Sequence, residues 1–100
     1  MITHLVLFKL EPGHLLTDAA VRRAIGTTAE HPGHIDQIRG WLHGPNTARR
    51  AQAEHDYALV AQFDDAHGLE RFLQHPHHKA GAEAWRAVAT WSVVDLDMPP

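Results

Sequence analysis

Ten of the 100 residues are histidine. It is the one side chain whose ordinary pKa lies near neutrality, so its placement decides between acid–base chemistry, metal binding and plain packing. His4 shares one side of an alternating run with Val6 and Phe8, and burial among such neighbours favours the neutral imidazole that can take a proton. The plainer reading of the same residue is a core histidine bonded to a backbone carbonyl. His75, His77 and His78 surround Pro76. Proline suits the first position of a helix, and the positive end of that helix disfavours a cationic imidazole in its first turn. On a 3.6-residue wheel His77 lies nearer the stripe of Gly81, Trp85 and Val88, with His78 at its margin. Spacing therefore leaves open which of the three faces a cavity.

Metal ligation is poorly served by these spacings. His77 with Glu83, or His75 with His78 across the proline, does not close a tetrahedral set, and no HExxH run occurs. The expectation is no metal and no cofactor. Absence of cysteine excludes disulfides, thiolate ligands and cysteine nucleophiles. Trp41, Trp85 and Trp91 read as core or interface residues, each needing a partner for one N–H, with ligand stacking as their alternative use. Asp95 and Asp97 read as solvent-facing charges that discourage pairing at a sheet edge.

The elements that must position these groups follow from periodicity. Residues 2–10 alternate, and Pro12-Gly13 ends the run; both sides of this strand are apolar, Val6 and Phe8 on one and Leu5 and Leu7 on the other. Thr17 or Asp18 caps a helix over about 17–30 that His31-Pro32-Gly33 stops. Residues 35–44 read as a second strand and 45–54 as a polar loop. Tyr57 to Phe63 alternate as a third strand, and Asp64 or Asp65 caps the helix that carries Leu69, Phe72 and Leu73. That helix breaks at His75-Pro76, because proline disfavours helical geometry in the residue before it. A further helix runs to about Val88, Trp91–Leu96 form the last strand, and Met98-Pro-Pro100 is a tail.

The order β-α-β-β-α-(α)-β implies one α+β domain over residues 1–100, a ferredoxin-like four-stranded antiparallel sheet with helices on one face. A sheet covered on one side ordinarily shows polar residues on the other. Here the face carrying Leu5 and Leu7 lacks a partner within the chain, which marks it for a second copy about a two-fold axis, or for a groove that takes a ligand. Formal charge is −3 with neutral histidines, and the nine Lys and Arg are scattered; that charge pattern argues against nucleic acid. No apolar run approaches the roughly twenty residues of a membrane span, and nothing directs export, so the cytoplasm is the expected compartment.

Three segments in order resemble the stress-responsive A/B barrel (Dabb) family: Met1-Ile-Thr-His-Leu-Val-Leu-Phe-Lys-Leu10, Asp56-Tyr-Ala-Leu-Val-Ala-Gln-Phe-Asp-Asp65, and Phe72-Leu-Gln-His-Pro-His-His78 followed by Trp91-Ser-Val-Val-Asp95. The most specific elements are the first strand with His4 and the His75-Pro76-x-His78 motif. The resemblance implies a dimeric α+β barrel in which two such sheets close on one another. Some members of the family are polyketide cyclases, and their pattern points to His78 as base, with His4 orienting substrate or base. Those members carry a tyrosine where this chain has Phe72; Tyr57 is the hydroxyl that stands in for it. The implied catalytic set is His78, His4 and Tyr57, and the implied substrate contacts are Phe72, Val6, Phe8, Trp85 and His77.

Two classes of function remain at this level. One is a histidine-base site for a small aromatic or polyketide-like, hydrophobic molecule, and the other is a non-catalytic stress-responsive or accessory dimerisation domain. A third, haem- or quinone-directed monooxygenase chemistry, rests on fold analogy alone.

Overall fold

Alternation in the first ten residues does produce a strand, β1 (Ile2–Leu10), with His4, Val6 and Phe8 buried on one side and Leu5 and Leu7 half-buried on the other. In this computed structural model, which describes residues 1–99, it is followed by α1 (Ala19–His34), β2 (Gly40–Pro45), β3 (Tyr57–Phe63), α2 (Ala66–Gln74), α3 (Pro76–Arg86) and β4 (Ala89–Asp97). Pro100, the last residue of the expected tail, lies outside the described residues. The strand order is β2-β3-β1-β4 with every pair antiparallel. This is the ferredoxin-like arrangement, and all three helices lie on one face.

Element boundaries differ from the sequence reading, chiefly around α1 and β2. The first helix begins at Ala19 and runs through Pro32 to His34 rather than stopping at 30. Pro32 falls in the last turn, where its missing N–H removes a single ladder bond. Beyond it the Ile35 N–H donates to the His31 carbonyl at 2.9 Å, which closes the helix. Ile35 is thereby delivered into the core, only 1% exposed, and cannot open a strand. The second strand consequently starts at Gly40, after Arg39 N–H has donated to the Gln62 carbonyl at 2.8 Å.

Helix breaks elsewhere follow local chemistry. The Asp65 carboxylate accepts from Gly68 N–H at 2.8 Å and caps α2. The ring of His75 accepts from His77 N–H at 3.0 Å, and Pro76 opens α3. Between sheet and helices the core falls into two clusters, Val6, Phe8, Val21, Tyr57, Leu59 and Trp85 under α1 and α3, and Ile35, Ala61, Phe63, Leu69 and Phe72 under α2. Trp41 packs against both.

Candidate functional site

His4 sits on the inner face of a central strand, directly across from Ala61 on β3 and Asp95 on β4. Only 4% of it is exposed, and its ring meets the edges of Phe63 and Phe72 at 6.4 and 6.1 Å. Nδ1 lies 2.5 Å from the Asp95 carboxylate. A carboxylate can only accept there, so Nδ1 carries the proton and Nε2 is left for a ligand. Asp95 is on the edge strand β4 and partly exposed, as expected, and the register also puts it on the same face as His4, which gives it a second role as a partner. Position 95 shares the parity of Trp91 and Val93, a signal present in the sequence.

His78 owes its state to the break between α2 and α3. The last carbonyls of a helix lack intrahelical partners, and that of Leu73 is taken by His78 Nδ1–H at 3.1 Å. Since a carbonyl cannot donate, His78 is held as the Nδ1–H tautomer with a lone pair on Nε2. Burial pushes its pKa below the ordinary value, nearby His4, His75 and Lys79 push it the same way, and only the Leu73 carbonyl opposes them. His78 is therefore neutral over a wider acidic range than a free histidine.

Both residues line a single cavity of about 180 Å³ between the β1–β4 half of the sheet and α3. Val6, Phe8, Phe72, Trp85 and Trp91 line it with them, and the ring of Phe72 stands 4.5 Å from that of His78. Phe8 stacks on Trp85 at 3.9 Å. The Trp85 N–H is satisfied by Thr28 Oγ1 at 2.8 Å, whose own hydroxyl donates to the Ala24 carbonyl, so this wall is chemically inert. Arg86 lies over the Trp91 ring at 5.6 Å, and both line the cavity together with Val93, which is about half exposed.

A fourth group lining the cavity was not signalled by any motif. His31 is buried on α1 and borders the same space. Burial first, then the neighbouring His77, His78, His75 and His34, lower its pKa to about 4. The sequence reading assigned His31 to a helix stop; its i and i+3 relation to Thr28, which is buried beside it, is the signal that was available.

Two residues of the expected site stand elsewhere. Tyr57 is buried in the core with its hydroxyl 2.6 Å from His43 Nδ1, and it does not line the cavity; burial raises its pKa. The hydroxyl missing at Phe72 is not supplied by Tyr57. His77 also points away from the cavity, with its ring stacked on His34 at 3.9 Å and its Nδ1 2.5 Å from that of His31. Neither metal pair weighed from spacing comes together as part of a larger set. Among the described residues, the group that does is Glu30, His34 and His77.

The chain is similar to known proteins in sequence and in fold. Residues 2–98 match the family model for the Stress responsive A/B Barrel Domain. An uncharacterised protein of Streptomyces coelicolor is 39% identical, the match covering 97% of this chain and 99% of that one. A dimeric ferredoxin-like protein of unknown function from Thermobifida fusca superposes with a TM-score of 0.83 at 22% identity, covering 97% of this chain and 90% of the other. The hydroxynitrile lyase of Passiflora edulis superposes with a TM-score of 0.84 at 11% identity, covering 98% and 93%.

Proposed function

This chain belongs to the stress responsive A/B barrel domain family, and from that premise we propose that it is a homodimer whose cavity binds a small, largely apolar carbonyl compound and uses His78 as a base on it. The observation that carries this reading is the His78–Leu73 hydrogen bond beside His4 in one cavity: it leaves a lone pair on Nε2 of an imidazole whose pKa burial lowers. A base of that kind suits removal of a proton from carbon next to a carbonyl.

The chemistry balances within the chain's own groups. His78 Nε2 takes the C–H proton and becomes imidazolium, leaving an enolate. The enolate carbon bonds to a second carbonyl carbon, and the resulting alkoxide recovers the proton from His78. This is an aldol-type closure, and its reverse is a lyase reaction. The Nε2 lone pair of His4, held in place by Asp95, accepts from a hydroxyl of the substrate and fixes its orientation. One protein of similar fold is a hydroxynitrile lyase, and fold similarity at that identity carries no chemistry with it.

Size limits the substrate. An apolar cavity of about 150 Å³ holds a benzene ring, so a space of about 180 Å³ takes a single ring or a short carbon chain. A longer polyketide-like molecule would have to extend past Trp91 and Val93 toward solvent.

The dimer half of the reading rests on the other face of the sheet. Leu42 is 70% exposed and Val94 and Leu96 are both more than 40% exposed, flanking the half-buried Leu5, Leu7 and Val60. A second copy related by a two-fold axis covers such a face with its own equivalent.

The test is exchange of a carbon-bound proton. A phenyl-substituted 1,3-diketone in D₂O should lose its central C–H signal faster with the protein than with free imidazole at matched concentration. His78→Ala should return the rate to background. Equal rates for wild type, variant and free imidazole would remove the base assignment.

A further inference from the structure

The break that frees Leu73 for His78 also brings a second histidine group together, outside the cavity. Glu30 and His34 lie one turn apart near the end of α1, and His77 is the second residue of α3. One ligand atom from each of the three lies within 4.8 Å of the others. Two imidazoles and one carboxylate are a metal-binding set, provided the imidazoles are neutral and aimed.

The aim of His77 has a structural cause. Residue 77 is anchored at its backbone, where its N–H donates to the ring of His75. Its side chain is anchored by His31, whose Nδ1 lies 2.5 Å from the His77 Nδ1. His31 itself is pinned: Gly81 of α3 comes so close that a Cβ there would stand 2.7 Å from His31 Nε2. Glycine leaves the room that the His31 ring occupies against α3. One nitrogen of the His31–His77 pair must donate and the other accept. When His77 is the donor, its Nε2 lone pair is the free one, on the side away from His31. Buried histidine bonded behind a ligand histidine is the arrangement that fixes ring orientation in metal sites.

We propose that Glu30, His34 and His77 bind a divalent transition-metal ion of the zinc class, with His31 as the positioning residue behind His77. Tetrahedral bonds of about 2.1 Å bring ligand atoms to about 3.4 Å from one another. The exposed side chains of Glu30 and His34 close the remaining distance by rotamer change, opening the stack between His34 and His77. Imidazole donors select zinc, nickel or copper over magnesium and calcium. With three protein ligands the ion keeps a position open to water. It would also tie the end of α1 to the start of α3 and, through His31, touch a residue that borders the cavity.

Isothermal titration of tag-free, chelator-treated protein with zinc chloride tests this. The expected result is one ion per chain, with affinity lowered at least tenfold in both His34→Ala and His77→Ala, and unchanged in His67→Ala, which removes an exposed histidine of α2. Position 34 is exposed, so that variant folds and keeps the test sharp. No heat of binding at 100 µM zinc, or binding that survives both substitutions, overturns the site. Long-range ¹H–¹⁵N spectra of the zinc form should show His77 bound through Nε2 with Nδ1 protonated; ligation through Nδ1 would overturn the part played by His31. These readouts are independent of any activity in the cavity.

Discussion

The two faces of the sheet share one strand and part company in chemistry. On the inner face, β1 presents His4, Val6 and Phe8 beneath helices, and His31 of α1 and His78 of α3 join His4 around a gap in the packing. The outer face presents Leu5 and Leu7 beside Val60, Leu42, Val94 and Leu96. The lesson is that apolar character alone separates nothing here. What distinguishes a binding surface from an assembly surface is whether histidines and their partners interrupt it. The inner face holds its polar groups by specific bonds, His4 to Asp95 and His78 to Leu73; in the middle of the outer face, Leu5 pairs with Val60 and Val94, and there is nothing to titrate.

This contrast can be broken from either side. The largest effect is expected on the outer face. Val60→Asp places a carboxylate at the centre of the proposed dimer contact twice over, and desolvating those charges costs on the order of 5 kcal/mol or more. Analytical ultracentrifugation should then find a monomer with unchanged far-ultraviolet circular dichroism; a dimer that persists would mean that another surface carries the assembly.

Next in size is His78→Ala. Loss of a positioned base lowers kcat/KM by about 10²- to 10⁴-fold, or about 3–5 kcal/mol. In the wild type the acid limb of the kcat/KM profile should fall below pH 6.5, because burial moves the His78 pKa downward. A limb above 6.5 would contradict the environment described for it.

Stability should carry the same signature on the inner face. The folded pKa of His31, about 4, lies under the unfolded value of about 6.5. Between those values the unfolded chain binds the additional proton, so stability is level above about pH 6.5 and declines as pH falls toward 4. From pH 7 to pH 5 the loss is about 2 kcal/mol from this residue, measurable by urea unfolding in chelator-containing buffer. His31→Phe should lessen that slope, leaving the share of groups such as His78 whose pKa burial also lowers, and an unchanged slope would assign it wholly to those groups.

The smallest effect is expected from Asp95→Asn. The substitution keeps an acceptor for His4 but removes its charge, and the carboxylate is partly exposed. A fall of about tenfold in kcat/KM, equal to about 1.4 kcal/mol, with little change in KM would mark Asp95 as holding His4 for the reaction.

How far the sequence disclosed these features depended on whether the cause was local. Alternation in β1 and β3 and the His75-Pro76 break follow from period and from proline, and each stands where the residues indicated. The passage of α1 through Pro32 was hidden, since its reward is burial of Ile35 against Phe63 and Leu69, contacts made far along the chain. The second role of Asp95 was hidden for the same reason: strand parity announces its side, but only pairing with β1 turns that side into a partner for His4. Three histidines in a row of four left the cavity-facing one unresolved, because the choice lay with an orphaned carbonyl of the preceding helix. His31 entered only when α1 met α3 at Gly81, and His34 only when its ring stacked on that of His77.

The tautomer of His78 bears most directly on the account. Long-range ¹H–¹⁵N spectra of histidine-labelled protein at pH 7 should show this ring protonated on Nδ1 with a bare Nε2. A ring protonated on Nε2, or a cationic ring at that pH, would leave no lone pair facing the substrate space and would contradict the proposed chemistry at its root.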